Sequence, residues 1–270
     1  MPLLADPRQR LLPRETGANG CFETMRAYRG RIFRLDDHLD RLDASVTYLS
    51  TPFQMPRRIL RHKLITALAR SGLKEAVVRI ALMVEPDGEA YPSIVVRAAT
   101  LPPPLAYARG IRLAVVPARK FSVASIDPQA KYSARLGSVM AVADAQLRHV
   151  DEALFMDAMG SVTESTASNL GIVSRGTILT PPCWLGLLAG ITRDVLFELA
   201  ASLRLPIRET PLTRHDLYNA EEAFLTSTLK DVLPVTRIDG RAIGTGRPGP
   251  VSKRLLHAFR TLVRTELNNT

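Results

Sequence analysis

The stretch Ala153–Leu179, ALFMDAMGSVTESTASNLGIVSRGTIL, contains several strand and turn signals in close succession. Ala153–Asp157 is an apolar run typical of a buried strand, and the AMGS at residues 158–161 predicts a turn. Gly171–Ser174 and Thr177–Leu179 predict two short strands around an Arg-Gly turn. This part of the chain is therefore expected to be rich in strands.

Helical patterns lie on both sides of the strand-rich stretch. Apolar residues between Leu35 and Leu49 step by four and three and predict a helix over about residues 36–50. Met55–Ser71 predicts a second helix, closed by Gly72. Further helices are predicted at Tyr132–Val150, Thr192–Leu203 and Pro250–Leu267. The apolar residues expected to face inward in the first of these three are Leu136, Val139, Met140, Ala143 and Leu147.

Strand signals separate these helices. Ala76–Val84 and Ser93–Ala99 predict a hairpin around Pro86-Asp87-Gly88, and Ile111–Val116 and Glu222–Ser227 predict single strands. Because strands and helices alternate without a strict βαβ rhythm, the fold class is α/β with mixed, α+β-like sheets.

Pro102-Pro103-Pro104 continues neither a strand nor a helix and is the best candidate for a linker. It predicts a smaller N-terminal α/β domain at residues 1–104. A larger C-terminal α/β domain at residues 105–270 would then carry Lys131.

Length and composition indicate an ordinary globular protein. The 270 residues are 46% hydrophobic and 23% charged, which excludes disordered and fibrous classes. No run approaches 18 apolar residues, so no membrane span is expected. The start of the chain lacks the apolar core of a secretory signal, and two cysteines make no disulfide framework. A cytoplasmic location is therefore expected.

The net charge of +10 raises the possibility of a nucleic-acid partner. The basic residues are scattered, however, and aromatic residues make up only 6% of the chain. A basic nucleic-acid-binding protein that has kept a fold without catalysis is therefore the least favoured of three hypotheses. The same charge could attract small anionic substrates.

Several common site motifs are absent from the sequence. It contains no GxxxxGK[ST], no GxSxG, and no His or Cys spacing typical of a metal site. Gly244–Gly249 spells GxGxxG, but it follows a turn and the chain ends too soon for a βαβ unit. We interpret it as a loop and expect no metal.

The positive signal is a set of residues suited to a phosphate, together with one lysine. Gly190-Ile191-Thr192-Arg193 opens a helix, where free N–H groups favour an anion, and Thr226-Ser227-Thr228 ends a strand with three hydroxyls. Lys131 lies between a polar loop and an apolar helix, Glu164 follows a turn, and Arg41 lies on the first helix. Each signal is weak alone. Together they describe a pyridoxal phosphate site, which needs an amine, a carboxylate and a phosphate cup.

The ordered motifs resemble those of the class IV (fold type IV) pyridoxal-phosphate enzymes. This group contains branched-chain and D-amino acid aminotransferases and 4-amino-4-deoxychorismate lyases. The motifs are Gly20–Arg26, Leu35-x-x-His38-x-x-Arg41-Leu42, Lys131 with Arg135-Leu136, Asp151–Leu154, Gly160-x-Val162-Thr163-Glu164-x-x-x-x-Asn169, Thr180–Pro182, Gly190–Arg193, and Ser227-Thr228 with Pro234-Val235.

The resemblance implies a role for each candidate residue. Lys131 would form the aldimine with the cofactor and move the proton at the substrate's α-carbon, and Glu164 would pair with the pyridine nitrogen. Leu188 would pack behind the ring. The phosphate would be held by Arg41, Ile191 through its N–H, Thr192, Ser227 and Thr228. The family fold has two domains with the cofactor in the cleft between them, as a homodimer.

Two reactions within the family remain open. Phe22–Arg26, FETMR, and the short step from Lys131 to Arg135-Leu136 look most like the lyase, which releases 4-aminobenzoate and pyruvate on the route to folate. The alternative is an aminotransferase that moves an amino group between a branched-chain or D-amino acid and a 2-keto acid. Arg79, on a predicted strand, is a candidate for the arginine with which the D-specific enzymes bind a substrate carboxylate.

Overall fold

The computed structural model describes residues 20–84, 90–120, 126–133 and 136–268. These residues form two compact units. The small unit contains residues 20–84, 90–100, 129–133 and 265–268, and the large unit contains residues 101–120, 126–128 and 136–264. Each unit has its own hydrophobic core.

The small unit is an antiparallel sheet with helices packed on it. The strands are β1 (Gly20–Tyr28), β2 (Arg31–Ile32), β3 (Ala76–Val84) and β4 (Ala90–Ala98). They lie in the order β2-β1-β3-β4. The predicted hairpin is confirmed as the β3–β4 pair, and its predicted turn at Pro86-Asp87-Gly88 lies outside the described residues.

Two helices cover this sheet, as their apolar spacing predicts. They are α1 (Leu35–Tyr48) and α2 (Arg57–Ser71). The second helix starts later than predicted because Pro56 is its N-cap, and it ends as predicted at Gly72, with φ of 68°. The buried leucines of both helices, which share one core with β1 and β3, are Leu35, Leu39, Leu42, Leu60, Leu64 and Leu68.

The large unit is built on a nine-stranded sheet. Its strands are β5 (Ile111–Arg119), β6 (Glu152–Met156), β7 (Val162–Ser165), β8 (Asn169–Ser174), β9 (Thr177–Thr180), β10 (Ile207–Glu209), β11 (Glu222–Ser227), β12 (Asp231–Ile238) and β13 (Arg241–Ala242). The order is β10-β9-β8-β11-β12-β5-β6-β7, with β13 on β12. A further pairing of β8 with β7 closes part of this sheet into a ring.

Five helices complete the large unit and the end of the chain. They are α3 (Pro104–Arg109), α4 (Leu136–Leu147), α5 (Ile191–Ser202), α6 (Arg214–Tyr218) and α7 (Pro250–Asn268). Within the described residues no helix is long and apolar enough to cross a membrane. The mixed α/β fold class is confirmed by this combination of parallel and antiparallel pairing with helices.

The predicted inward face of α4 is wrong. Its buried residues are Ala141 and Ala145, which pack with Val116 and Phe155 of β5 and β6. The five apolar residues predicted to face inward are not buried, and Leu136 and Leu147 are 73% and 78% exposed. The apolar spacing therefore marks a surface stripe, and the small alanine face is the one that contacts the sheet.

The predicted linker and domain boundary differ from the observed division. Pro103 is the N-cap of α3 and Pro104 its first residue, so the proline run opens a helix. The segment 129–133, with Lys131, groups with the small unit, whereas the predicted boundary placed it with residues 105–270. The boundary at residue 104 stays a prediction.

The GxGxxG segment is a loop, as predicted, that leads into α7. The buried carboxylate of Glu222 accepts hydrogen bonds from Val251 N–H (2.8 Å) and Ser252 N–H (2.9 Å) in the first turn of this helix. A Cβ atom on Gly249 would lie 2.0 Å from the carboxyl carbon of Glu222. Gly249 is therefore required because the capping carboxylate occupies the space of a side chain.

Gly249→Ala is expected to lower the free energy of unfolding by about 1–2 kcal/mol, because the new methyl group displaces the carboxylate that caps α7. Urea unfolding followed by circular dichroism measures this. Gly137→Ala in α4 is the control: its Cβ atom would meet nothing within 4 Å, so stability should stay unchanged or rise. Equal stability of Gly249→Ala and wild type would contradict this account of α7.

Candidate active site

Glu164 lies on β7, and the turn before that strand explains its position. Asp157 Oδ1 accepts hydrogen bonds from Met159 N–H (2.9 Å) and Ser161 N–H (2.7 Å). Gly160 takes the left-handed conformation, with φ of 91°, that this turn requires. The AMGS turn thus reverses the chain and pairs β7 against β6, with Glu164 buried.

Three donors surround the Glu164 carboxylate. Oε2 accepts hydrogen bonds from Leu188 N–H (3.2 Å) and the Asn169 side-chain amide (3.4 Å), and Lys120 Nζ lies 2.5 Å from Oε1. These donors satisfy the oxygens of the buried carboxylate and restrict its orientation. Lys120 was not among the predicted site residues, because nothing in the local sequence links the end of β5 to Glu164.

Asn169 connects Glu164 to the start of α5. Asn169 is paired with Glu164 across β8 and β7 and with Thr226 across β8 and β11. Its amide also donates a hydrogen bond to the Leu188 carbonyl (2.9 Å). A Cβ atom on Gly190 would lie 2.0 Å from Asn169 Oδ1, so only glycine fits there. The carboxylate and the helix start therefore meet at the Asn169 side chain, and the end of β11 pairs with the main chain of the same residue.

The first turn of α5 carries the predicted phosphate ligands Ile191 and Thr192, both buried. Gly190 is the N-cap, and the first intrahelical bond comes from Asp194 N–H to the Gly190 carbonyl (2.9 Å). The earlier N–H groups thus have no intrahelical partner and favour an anion. Arg193 binds Glu209 and the Pro181 carbonyl, so it anchors this turn to the sheet.

The predicted hydroxyl ligands Ser227 and Thr228 lie where β11 turns into β12. Ser227 pairs with Asp231, and Lys230 N–H donates a hydrogen bond to the Ser227 carbonyl (3.1 Å). Asp231 has φ of 52°, the left-handed residue that a tight hairpin needs. Ser227 and Thr228 are half-buried, which leaves them accessible to a ligand.

In the small unit, backbone pairing positions Lys131 beside β1. Phe22 N–H donates a hydrogen bond to the Lys131 carbonyl (3.0 Å), and Ser133 N–H donates one to the Gly20 carbonyl (2.9 Å). Lys131 N–H donates a hydrogen bond to Ser45 Oγ (3.0 Å) on α1. The main chain of Lys131 is thus held by both a strand and a helix of the same unit.

The side chain of Lys131 lies near an aromatic ring and a second cation. Its Nζ is 4.9 Å from the centroid of the Phe22 ring, and the guanidinium carbon of Arg79 is 3.9 Å from the same centroid. An amine, an apolar ring and a guanidinium therefore share one region of β1 and β3. This set suits a ligand with an apolar part and a carboxylate.

Arg41 is held by a buried carboxylate that sequence reasoning did not assign to the site. Its Nε and Nη2 donate to Glu23 at 2.7 and 2.8 Å, and His38 Nδ1 lies 2.7 Å from Glu23 Oε2. Burial alone would raise the pKa of Glu23, but the charge and hydrogen bonds of Arg41, with the hydrogen bond of His38, hold it well below its usual range. The carboxylate therefore fixes the orientation of Arg41.

The buried His38 is neutral at pH 7. Burial lowers its pKa below 6.5 and outweighs the opposing effect of Glu23, and the charges of Arg41 and Lys131 lower it further. Because an ionised carboxylate only accepts hydrogen bonds, His38 Nδ1 carries the proton shared with Glu23. Cys21, also buried beside this cluster on β1, has a pKa raised to about 12 by burial and by Glu23.

The predicted site residues thus fall into two groups. Lys131 and Arg41 belong to the small unit. The predicted site residues of the large unit are Glu164, Leu188, Ile191, Thr192, Ser227 and Thr228. The structure adds Lys120 beside Glu164, and Glu23 and His38 beside Arg41.

A family model and several known proteins match this chain. The model described as amino-transferase class IV matches residues 20–238. A putative branched-chain-amino-acid aminotransferase of Methanocaldococcus jannaschii is 36% identical over 251 residues, which are 90% of this chain and 87% of that protein. A branched-chain-amino-acid aminotransferase of Pseudomonas aeruginosa is 31% identical over 90% of this chain and 84% of its own length.

A solved structure is similar over nearly the whole chain. Branched-chain amino acid aminotransferase of Escherichia coli has a TM-score of 0.88 at 26% identity and covers 95% of this chain and 90% of that one. The similarity therefore extends over both compact units, and the structural neighbour has the fold that the resemblance implies.

The buried histidine predicts a loss of stability in acid. Below about pH 6.5 the unfolded histidine binds a proton that the folded His38 does not, so the free energy of unfolding falls as the pH falls, by at most about 1.4 kcal/mol per pH unit. His38→Gln keeps a donor for Glu23 but cannot titrate, and should flatten this dependence between pH 6.5 and 5. Urea unfolding across this range measures it. His62→Gln, at an exposed position of α2, is the control and should keep the wild-type slope; identical slopes for both variants would contradict the assignment.

Proposed function

Because the chain belongs to the class IV aminotransferase family, we propose that it moves an amino group between a branched-chain amino acid and a 2-keto acid, with pyridoxal 5'-phosphate as cofactor. The predicted family is confirmed by the family model and by the relative of Methanocaldococcus jannaschii, which is 36% identical over 90% of this chain. The observation that carries the choice of reaction is the similarity, over nine-tenths of this chain, to proteins named as branched-chain aminotransferases.

The lyase, which was the preferred prediction, receives no support from these relatives. The FETMR motif that favoured it lies on β1, where its residues have structural contacts. Glu23 binds Arg41 and His38, and Met25 is fully buried in the hydrophobic core of the small unit. Arg26 lies over the Tyr28 ring and pairs with Glu75 at 3.8 Å. These contacts of Glu23, Met25 and Arg26 are structural, and such contacts do not discriminate between reactions on the same scaffold.

The residues present fit pyridoxal phosphate by the chemistry of their donors. An aldehyde needs an amine, a pyridinium needs a carboxylate that stays ionised, and a phosphate needs hydroxyls, a guanidinium and a helix N-terminus. Lys131 is a half-buried amine, and Glu164 is buried among three donors. Gly190 opens α5 in a place where a larger residue would strike Asn169.

In this proposal each residue has one task. Lys131 would bind the cofactor through Nζ and carry the proton to and from the substrate's α-carbon, and Glu164 would accept a hydrogen bond from the protonated ring nitrogen and keep it cationic. Leu188 would pack behind the ring. The phosphate would be held by Arg41, the N–H of Ile191, and the hydroxyls of Thr192, Ser227 and Thr228. When bound, the cofactor supplies a ring that accepts electrons from the α-carbon.

Neighbours of Lys131 provide the features that the substrate requires. Phe22 offers an apolar ring for a branched side chain, and Arg79 a guanidinium for a carboxylate. Arg79 Nη1 also donates a hydrogen bond to Thr24 Oγ1 (3.4 Å), which restrains it on the sheet. We assign Arg79 to a substrate carboxylate, as the sequence suggested for this residue.

The reaction is tested with leucine, isoleucine and valine as donors and 2-oxoglutarate as acceptor. Wild type should release the matching 2-keto acids, and Lys131→Ala should lose the visible absorbance of the bound cofactor and roughly 10³-fold in rate. Lys63→Ala, an exposed lysine of α2, is the matched control and should keep both. Formation of 4-aminobenzoate from aminodeoxychorismate without amino transfer would overturn the proposal in favour of the lyase.

We also propose that the protein is a homodimer that uses the stripe of α4. The stripe consists of Leu136, Val139, Met140, Ala143 and Leu147 and is exposed in the single chain. Contiguous apolar residues on a surface helix mark an interface. A second copy of the chain is the occupant because the family resemblance implies a homodimer. The cytoplasmic location stays a prediction.

Met140→Glu is expected to convert the dimer into a monomer, because it places a charge in the middle of the apolar stripe. Light scattering coupled to size-exclusion chromatography measures the mass. Ile59→Glu introduces the same charge at an exposed isoleucine on α2, 39% exposed, and should leave the dimer intact. A monomeric wild type, or a dimer unaffected by Met140→Glu, would exclude this stripe as the interface.

A further inference from the structure

A buried carboxylate outside the proposed cofactor residues organises two parts of the large unit. Glu152, the first residue of β6, is 5% exposed. It accepts hydrogen bonds from Ser165 Oγ (2.6 Å), Thr166 Oγ1 (3.1 Å) and Ala167 N–H (3.3 Å). These three donors lie at residues 165–167, at the end of β7 and just after it, so Glu152 holds the chain between Glu164 and Asn169.

The fourth partner of Glu152 is Lys230, at the end of the turn that carries Ser227 and Thr228. Lys230 Nζ forms a close ion pair with Glu152 Oε2 and donates a hydrogen bond to Ser168 Oγ (3.0 Å). The Lys230 carbonyl accepts a hydrogen bond from Tyr107 Oη (3.2 Å). The next residue, Asp231, binds Arg260 Nε (3.2 Å). The turn is thus fixed on the side of Lys230.

The ion pair between Glu152 and Lys230 thus connects two segments. We call residues 165–168 the carboxylate loop and residues 227–231 the hydroxyl turn. The loop begins next to Glu164, and the turn begins at Ser227, whose preceding residue Thr226 pairs with Asn169. Because Lys230 contacts both Glu152 and Ser168, movement of the turn requires a buried ion pair to separate. The pair therefore sets the distance between the two parts.

We propose that Lys230 and Glu152 are positioning residues for binding of the cofactor phosphate: their ion pair holds the turn so that the hydroxyls of Ser227 and Thr228 meet the phosphate. This inference rests on the proposed function, because it assumes that these hydroxyls bind phosphate. Lys230 acts through the turn, since its Nζ donates to Glu152 and Ser168.

The test compares two ligands that differ only in the phosphate. Lys230→Met should weaken the binding of pyridoxal 5'-phosphate by about 10-fold to 100-fold, while the binding of pyridoxal changes less than about twofold. Titration followed by the visible absorbance of the bound ligand measures both affinities. Lys230→Arg retains a cation and should recover most of the lost affinity. Lys253→Met, an exposed lysine of α7, is the matched control and should bind both ligands as wild type does.

The double variant Glu152→Gln with Lys230→Met still allows the test if Lys230→Met alone does not fold. It leaves no buried charge unpaired, and its amide still accepts hydrogen bonds from Ser165 and Thr166. It should unfold at a temperature near that of wild type and still show the selective loss of affinity for the phosphorylated ligand.

Equal weakening for both ligands, or wild-type affinity for the phosphorylated ligand in Lys230→Met and the double variant, would overturn the inference. The proposed function fails in a different way: wild type itself would then bind neither ligand and transfer no amino group. The two failures are therefore distinguished by the wild-type protein alone.

Discussion

The pairing of Glu164 with Asn169 is the constraint on which the large unit and its candidate site depend. It joins β7 to β8 and so closes the ring that runs through β11, β12, β5 and β6. Residues directly opposite each other in a sheet point to the same side. The carboxylate and the amide therefore lie together, and both contact the backbone of Leu188. The pairing that closes the sheet therefore also positions the Glu164 carboxylate.

This closure also explains the glycine at the start of α5. Asn169 occupies the space that a side chain of residue 190 would need. The helix can therefore begin close to the sheet only if that residue is glycine. The N-terminus of α5 and the end of β11 are both positioned next to Asn169, so ligand-binding groups from distant parts of the sequence lie near one residue.

Local pattern predicted most of the elements but not the surface that each apolar face meets. α1, α2 and β11 follow the predictions closely because their spacing and end signals are local. The same reasoning predicted the wrong buried face for α4, in which the apolar stripe is exposed and the alanines are buried. Periodicity identifies an apolar face, but it does not tell whether the same chain covers that face. In α4, the part of the chain that the structure describes does not cover the apolar stripe.

The candidate site shows a similar division between what the sequence revealed and what it did not. Its named residues came from family motifs, whereas Lys120 and Ser45 came from contacts between residues far apart in the chain. Lys120 directly follows β5 and Glu164 lies on β7, and Ser45 contacts the main chain of Lys131 from α1. Such pairs depend on the register of strands and the packing of helices, which residue spacing alone does not give.

Buried glutamates, rather than the excess of basic residues, organise this protein. The net charge is +10, yet each of four buried glutamates binds donors from outside its own strand: Glu23, Glu152, Glu164 and Glu222. A buried carboxylate is stable only when several donors satisfy it, so each one requires a definite arrangement of its neighbours. Glu23 orients Arg41, Glu152 ties a loop to a turn, Glu164 lies among three donors, and Glu222 caps α7. The buried glutamates therefore determine how neighbouring elements are arranged. The exposed, scattered arginines produce the positive electrostatic field that an anionic substrate meets.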